Sequence, residues 1–96
     1  VGVYIIQDDV FQYVNPEFAK IFGYTREELI GMDYRKLVAP EDLERVVRGV
    51  TKRQEGRGKP TRYKFKVVRK SGEIVDVEVF SVPVVYRGRP AIQGVI

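Results

Sequence analysis

Two short apolar runs open this chain, apolar residues recur every three or four positions in its middle, and beyond it they alternate with polar ones in period two. Val3 to Gln7 and Val10 to Val14 read as two short strands around an Asp8-Asp9 turn. Phe18, Ile21 and Phe22 then fall at i, i+3 and i+4, one stripe of a short helix. Leu43, Val46, Val47 and Val50 continue the helical period and predict an amphipathic helix from Glu41 to about Arg53, with its stripe toward a sheet. After the breaker-rich basic loop Gly56 to Pro60, Tyr63, Phe65 and Val67 alternate with Arg62, Lys64 and Lys66, as in a half-buried strand. Lys70-Ser71-Gly72 suits a three-residue hairpin with Gly72 in the left-handed position. That turn sets Phe65 against Val77 and Val67 against Val75 on one face, and Lys64 against Glu78 and Lys66 against Asp76 on the other. Arg87-Gly88 turns the chain into a last strand, Ala91 to Ile96.

The helix ends carry their own signals. Asn15 is placed to cap a helix whose first position is Pro16, and Gly23 supplies its left-handed stop. Thr25 and Glu28 form a capping box, flanked by Tyr24 and Leu29 at staple positions, and Gly31 marks the second stop. Asp33 opens a further helical turn to Val38, and Glu41 and Asp42 occupy a first turn where the helix dipole favours acids. Two strands, a run of helices and three strands predict an α+β fold: a five-stranded antiparallel sheet with the helices gathered on one face.

With those elements in place the chain resembles the PAS domain family of sensory modules. The resemblance rests on the order and spacing of Asn15-Pro16-Glu17-Phe18, the run Gly23-Tyr24-Thr25-Arg26-Glu27-Glu28-Leu29-Ile30-Gly31, Pro40-Glu41-Asp42, and the Ser71-Gly72 hairpin before a Val-rich strand. It implies a sensory or interaction module, as found in sensor histidine kinases, with no catalysis of its own. Family members that bind haem commonly use a His on the long helix, and flavin photosensors use a Cys beside the cofactor.

Composition narrows the chemistry. Ninety-six residues suit one domain with a modest core. The chain has no Cys, His or Trp, which removes disulfides, zinc sites of the usual kind and Ser-His-Asp triads. Read against the resemblance, it also removes His-ligated haem and a Cys-flavin adduct. No cofactor is expected, although a noncovalent small ligand stays open. No apolar run reaches the length of a membrane span, so membrane contact by this segment is not expected and a cytoplasmic setting is. Because it starts and stops in apolar strands, the chain reads as a piece of a longer protein that carries the output domain.

The net charge of +4 comes from basic residues spread over Lys52 to Lys70 and Arg87 to Arg89, a distribution that fits a solvated face better than a nucleic-acid surface. Paired acids such as Glu27-Glu28 sit at predicted helix starts, where solvation explains them.

Two places are left for function. The resemblance implies a space between helices and sheet, lined by Phe18, Ile21, Phe22, Leu37, Leu43, Val46, Val47, Val50, Tyr63, Phe65, Val77 and Val79. Side chains of these sizes favour a filled core over a pocket. A citrate-like ligand would need converging cations, and the helix stripe shows none. Phe80 and Val82 share the parity of Asp76 and Glu78, which puts them on the outer sheet face unless a bulge near Pro83 turns them inward. In the family such a face is often covered by a flanking helix or a second subunit. The readings carried forward are a ligand- or partner-coupled sensory module, a structural dimerisation module with a filled core, and, more distantly, a basic nucleic-acid-binding domain.

Overall fold

Strand pairing organises the computed structural model, which describes residues 1–96. β1 (Val3–Gln7), β2 (Val10–Val14), β3 (Thr61–Val68), β4 (Ile74–Tyr86) and β5 (Arg89–Val95) form one antiparallel sheet in the order β2-β1-β5-β4-β3. Between β2 and β3 lie α1 (Pro16–Phe22), α2 (Arg26–Leu29), a 3-10 turn (Tyr34–Leu37) and α3 (Pro40–Gln54). The last strand starts at Arg89, two residues before the expected Ala91, because the Arg87-Gly88 turn is a tight one with both residues at positive φ.

The β3–β4 register is the one expected: Phe65 opposite Val77, Val67 opposite Val75, Lys64 opposite Glu78 and Lys66 opposite Asp76. Lys66 Nζ lies 2.8 Å from Asp76 Oδ1 on the outer face. Gly72 closes the hairpin at φ 92°, a conformation that costs a glycine little. In the first hairpin Asp8 and Asp9 both adopt positive φ, as a two-residue turn of this hand requires. A bulge between Ile5 and Ile6 lets Phe11 and Val14, three residues apart, both point inward.

The helix starts behave as their sequences dictate. Asn15 Oδ1 accepts from Phe18 N at 2.9 Å and also from Val3 N at 2.9 Å, so one amide caps α1 and pins it to the head of β1. Gly23 terminates α1 in the left-handed region. Thr25 and Glu28 form the full capping box of α2, and Lys70 Nζ reaches Glu28 at 2.8 Å, tying that helix to the β3–β4 loop. Here one expectation shifts. The residue closing α2 is Ile30 in an extended conformation, and left-handed Gly31 follows it, its N–H donating to Phe11 O. Asp42, in the first turn of α3, accepts from Lys66 N at 2.7 Å and fastens the helix to β3.

The core lies between the inner sheet face and the helices. At its centre the rings of Tyr4, Phe11, Phe18 and Phe22 pack edge-to-face and tilted against one another, with centroids 4.7 to 6.0 Å apart.

Candidate functional site

An interior cavity of about 40 Å³ remains under the helices. Eight of the expected residues line it: Phe18 and Phe22 from α1, Leu37 from the 3-10 turn, Val46 and Val50 from α3, Tyr63 and Phe65 from β3, and Val79 from β4. Ile21, Leu43, Val47 and Val77 lie beside it, half-buried against the core and outside its wall. The structure adds Tyr4, Ile6, Phe11, Tyr34, Val38, Val67 and Ile96. The sequence carries no signal for that wall, since Val3 and Ile5 are as apolar as Tyr4 and Ile6, and none for the bulge that turns Phe11 inward. The volume admits roughly two or three water-sized groups. Drug-sized ligands occupy roughly 300–1,000 Å³.

One expectation is overturned at the far end of the long helix. The apolar stripe of α3 does carry a cation, because Arg53, at i+3 from Val50 and i+7 from Val46, is 5% exposed. Its stem lies against the loop after α3 and its guanidinium beside the previous turn: a Cβ on Gly58 would overlap Arg53 Cγ, and one on Gly49 would sit 3.2 Å from both terminal nitrogens. The guanidinium stacks 5.3 Å from the Tyr63 ring centroid and donates from Nη2 to Tyr63 Oη at 3.1 Å. Its Nε has no partner. A single cation does not make the converging set a citrate would need, yet it places buried positive charge directly behind Tyr63, which lines the otherwise apolar cavity.

The sheet beneath is shaped for the same corner. Tyr4, Gly94 and Ser81 form a row across β1, β5 and β4 on the inner face. The Tyr4 ring crosses directly over Gly94, where any Cβ would overlap it. Ser81 Oγ is fully buried with the Tyr4 hydroxyl beside it, and the buried hydroxyl of Tyr34 makes no hydrogen bond. Burial raises the phenols of Tyr4 and Tyr63 above their ordinary value and pushes Tyr34 up to about 12, so all three stay neutral at physiological pH. No cluster of three or more Asp or Glu side chains is placed to hold a metal ion.

On the opposite face β4 keeps an unbroken register from Ile74 to Tyr86, so Phe80 and Val82 stay on the outside and no bulge turns them inward. Phe80 is 40% exposed, stands between Arg62 and Val95, and carries the Arg62 guanidinium 5.4 Å over its ring. Val82 is half-buried in the neighbouring row with Gln93, Ile5 and Tyr13.

A family model described as PAS fold matches residues 11–96. The chain belongs to the PAS family. The PAS domain of a protein from Colwellia psychrerythraea superposes with a TM-score of 0.81 at 21% identity, covering 97% of this chain and 81% of the other. A PAS domain from a two-component sensor histidine kinase gives 0.73 at 20% identity, covering 97% and 79%. The PAS domain of a LuxR-family transcriptional regulator from Burkholderia thailandensis, in complex with ethanol, gives 0.75 at 22% identity, covering 97% and 84%. Among curated protein sequences none matches. No helix of this PAS domain is long and apolar enough to cross a membrane.

Proposed function

We propose that this PAS domain senses a small molecule held noncovalently in its interior and passes occupancy to the rest of a longer signalling protein, such as a sensor histidine kinase, through its chain ends. One observation carries the reading: Ile96, the last residue, lines the cavity and exchanges backbone hydrogen bonds of 3.1 and 2.8 Å with Gly2. A group entering the cavity would thus meet Ile96 beside its pairing with Gly2, where segments flanking the domain in a longer protein would leave the sheet, and differential binding to two arrangements of those ends is what coupling requires. The ethanol held by the similar Burkholderia domain is a precedent for ligands of very few atoms. Covalent flavin chemistry and His-ligated haem are no part of the proposal, since the chain has neither Cys nor His. The reading sets the domain on the cytoplasmic side of its parent protein, with the output domain as its partner in the same chain.

A second reading has its own observation. The outer-face residues Phe80, Val82, Ile5 and Tyr13 present apolar surface without a cover, and a second copy of the domain packed there would make it a dimerisation module with a filled core. Native mass spectrometry of the purified domain, set beside its denatured mass, separates the two. The sensing reading predicts extra mass that disappears on denaturation, or binding of a small added ligand. An apo dimer that takes up no ligand would replace it with the second reading.

A further inference from the structure

The geometry points to Arg53 as the anchor of a site for a short-chain carboxylate, its acid group on the guanidinium between the Tyr4 and Tyr63 hydroxyls and its alkyl tail in the apolar cavity. The inference rests on the sensing reading and names the ligand class that reading leaves open.

Its first support is a charge without a counterion. Arg53 is 95% removed from solvent, yet none of the chain's eleven ion pairs includes it. Its one side-chain hydrogen bond goes to the neutral Tyr63 hydroxyl, and the ring face of Tyr63 supplies only a partial substitute for an anion. Burying a guanidinium unpaired is strongly unfavourable, whereas pairing it with a carboxylate uses its fork of N–H donors.

A second support is the room made for it. Gly49 and Gly58 lie where side chains would displace the Arg53 stem or head, and Gly94 leaves the space through which the Tyr4 ring reaches toward Ser81. Two buried side-chain polar atoms without a partner bear on the site: Arg53 Nε in this corner and Tyr34 Oη on the cavity wall. Tyr4 and Tyr63 connect the two regions, since both line the cavity and both lie within electrostatic reach of Arg53.

The cavity then selects the tail. About 40 Å³ admits two or three carbons and excludes an aromatic acid. Each methylene buried there raises affinity about fourfold until the space is full. An inorganic anion lacks the tail, and a primary amide of the same shape lacks the charge.

The test is an NMR titration of the wild-type domain with sodium propionate, propionamide and sodium nitrate at one ionic strength, following the Arg53 Nε–Hε signal and the melting temperature. Propionate is expected to move that signal and raise the melting temperature, with propionamide at least tenfold weaker and nitrate weaker still. Arg53→Met should abolish the propionate response while leaving the ligand-free melting temperature unchanged or higher, because an unpaired buried charge has been removed. A structural arginine would instead show a lower melting temperature with the response retained, which overturns the inference. If that variant fails to fold, the wild-type titration still decides, and Tyr63→Phe should weaken propionate several-fold. Equal binding of propionamide and propionate overturns the carboxylate anchor and leaves the sensing reading standing. Equal effects of nitrate and propionate mean surface anion binding and overturn it as well. No response to any of the three overturns the anchor, and ligand-free native mass spectra would then tell against the sensing reading also.

Discussion

Asn15 does more than cap a helix. Its side chain accepts from Phe18 N and Val3 N and donates to Val1 O at 3.0 Å, so Asn15→Ala removes a cap and two links between α1 and β1. A cap alone is worth about 1 kcal/mol, and a loss of about 2 kcal/mol is expected by urea denaturation; a change below about 0.5 kcal/mol would contradict this role. At Gly94 any side chain meets the Tyr4 ring. Gly94→Ala should therefore destabilise by about 1–3 kcal/mol, and much less in a Tyr4→Ala background, a coupling a double-mutant cycle measures directly. Equal costs in both backgrounds would mean that the ring is not what the methyl meets. The capping residues were legible because Asn, Thr and Gly act through local backbone geometry. Arg53 was not, since a charged residue that continues an apolar stripe looks like a solvated face until the loop carrying Gly58 is seen lying over it.

Elements are fastened to one another here by carboxylates. Asp42 joins α3 to β3, Glu28 joins α2 to the loop after β3, Asp33 opens the 3-10 turn beside Arg35, and Asp8 pairs with Arg89 across the sheet's end. Their hydrogen bonds hold all four below the ordinary values of 3.8 for Asp and 4.5 for Glu: the bond from the Lys66 amide dominates at Asp42, and those from Lys70, Arg35 and Arg89 dominate at the others. A carboxyl whose pKa is lower in the folded state lends stability that is fully present above its unfolded value and lost as pH falls through the folded one. Stability should thus be level from neutral pH to about 5 and fall steadily below about 4.5, as followed by urea unfolding at each pH; a profile still level at pH 3 would contradict it. Asp42→Ala should lower the neutral plateau and shallow the acid loss. The β3–β4 pairing was legible because its two faces specify the same register, apolar inside and opposite charges outside. The bulge in β1–β2 was not, because Val10-Phe11-Gln12-Tyr13-Val14 is apolar on both parities and marks neither as the inward one.

At the scale of the molecule, the proposed contacts use two surfaces: the outer face of the sheet and the paired ends of β1 and β5. If a second copy covers the outer face, Phe80→Asp should leave the fold intact and shift the sedimentation coefficient from dimer to monomer. An unchanged oligomeric state would remove that face as a self-association surface. The architecture itself was readable from period and turn residues, since strands, helices and strands in that order leave few arrangements in which every apolar face is covered. The cavity's extent was not, because it depends on how far side chains from seven elements fall short of meeting. The central claim is that occupancy of this interior reaches the chain ends. The direct measurement is amide hydrogen exchange at Gly2 and Ile96 with the domain free and saturated with propionate. Exchange at both amides is expected to change at least several-fold together with that of the cavity-lining residues. Changed exchange around the cavity with Gly2 and Ile96 unaltered would mean that the domain binds without signalling through its ends, and would contradict the account.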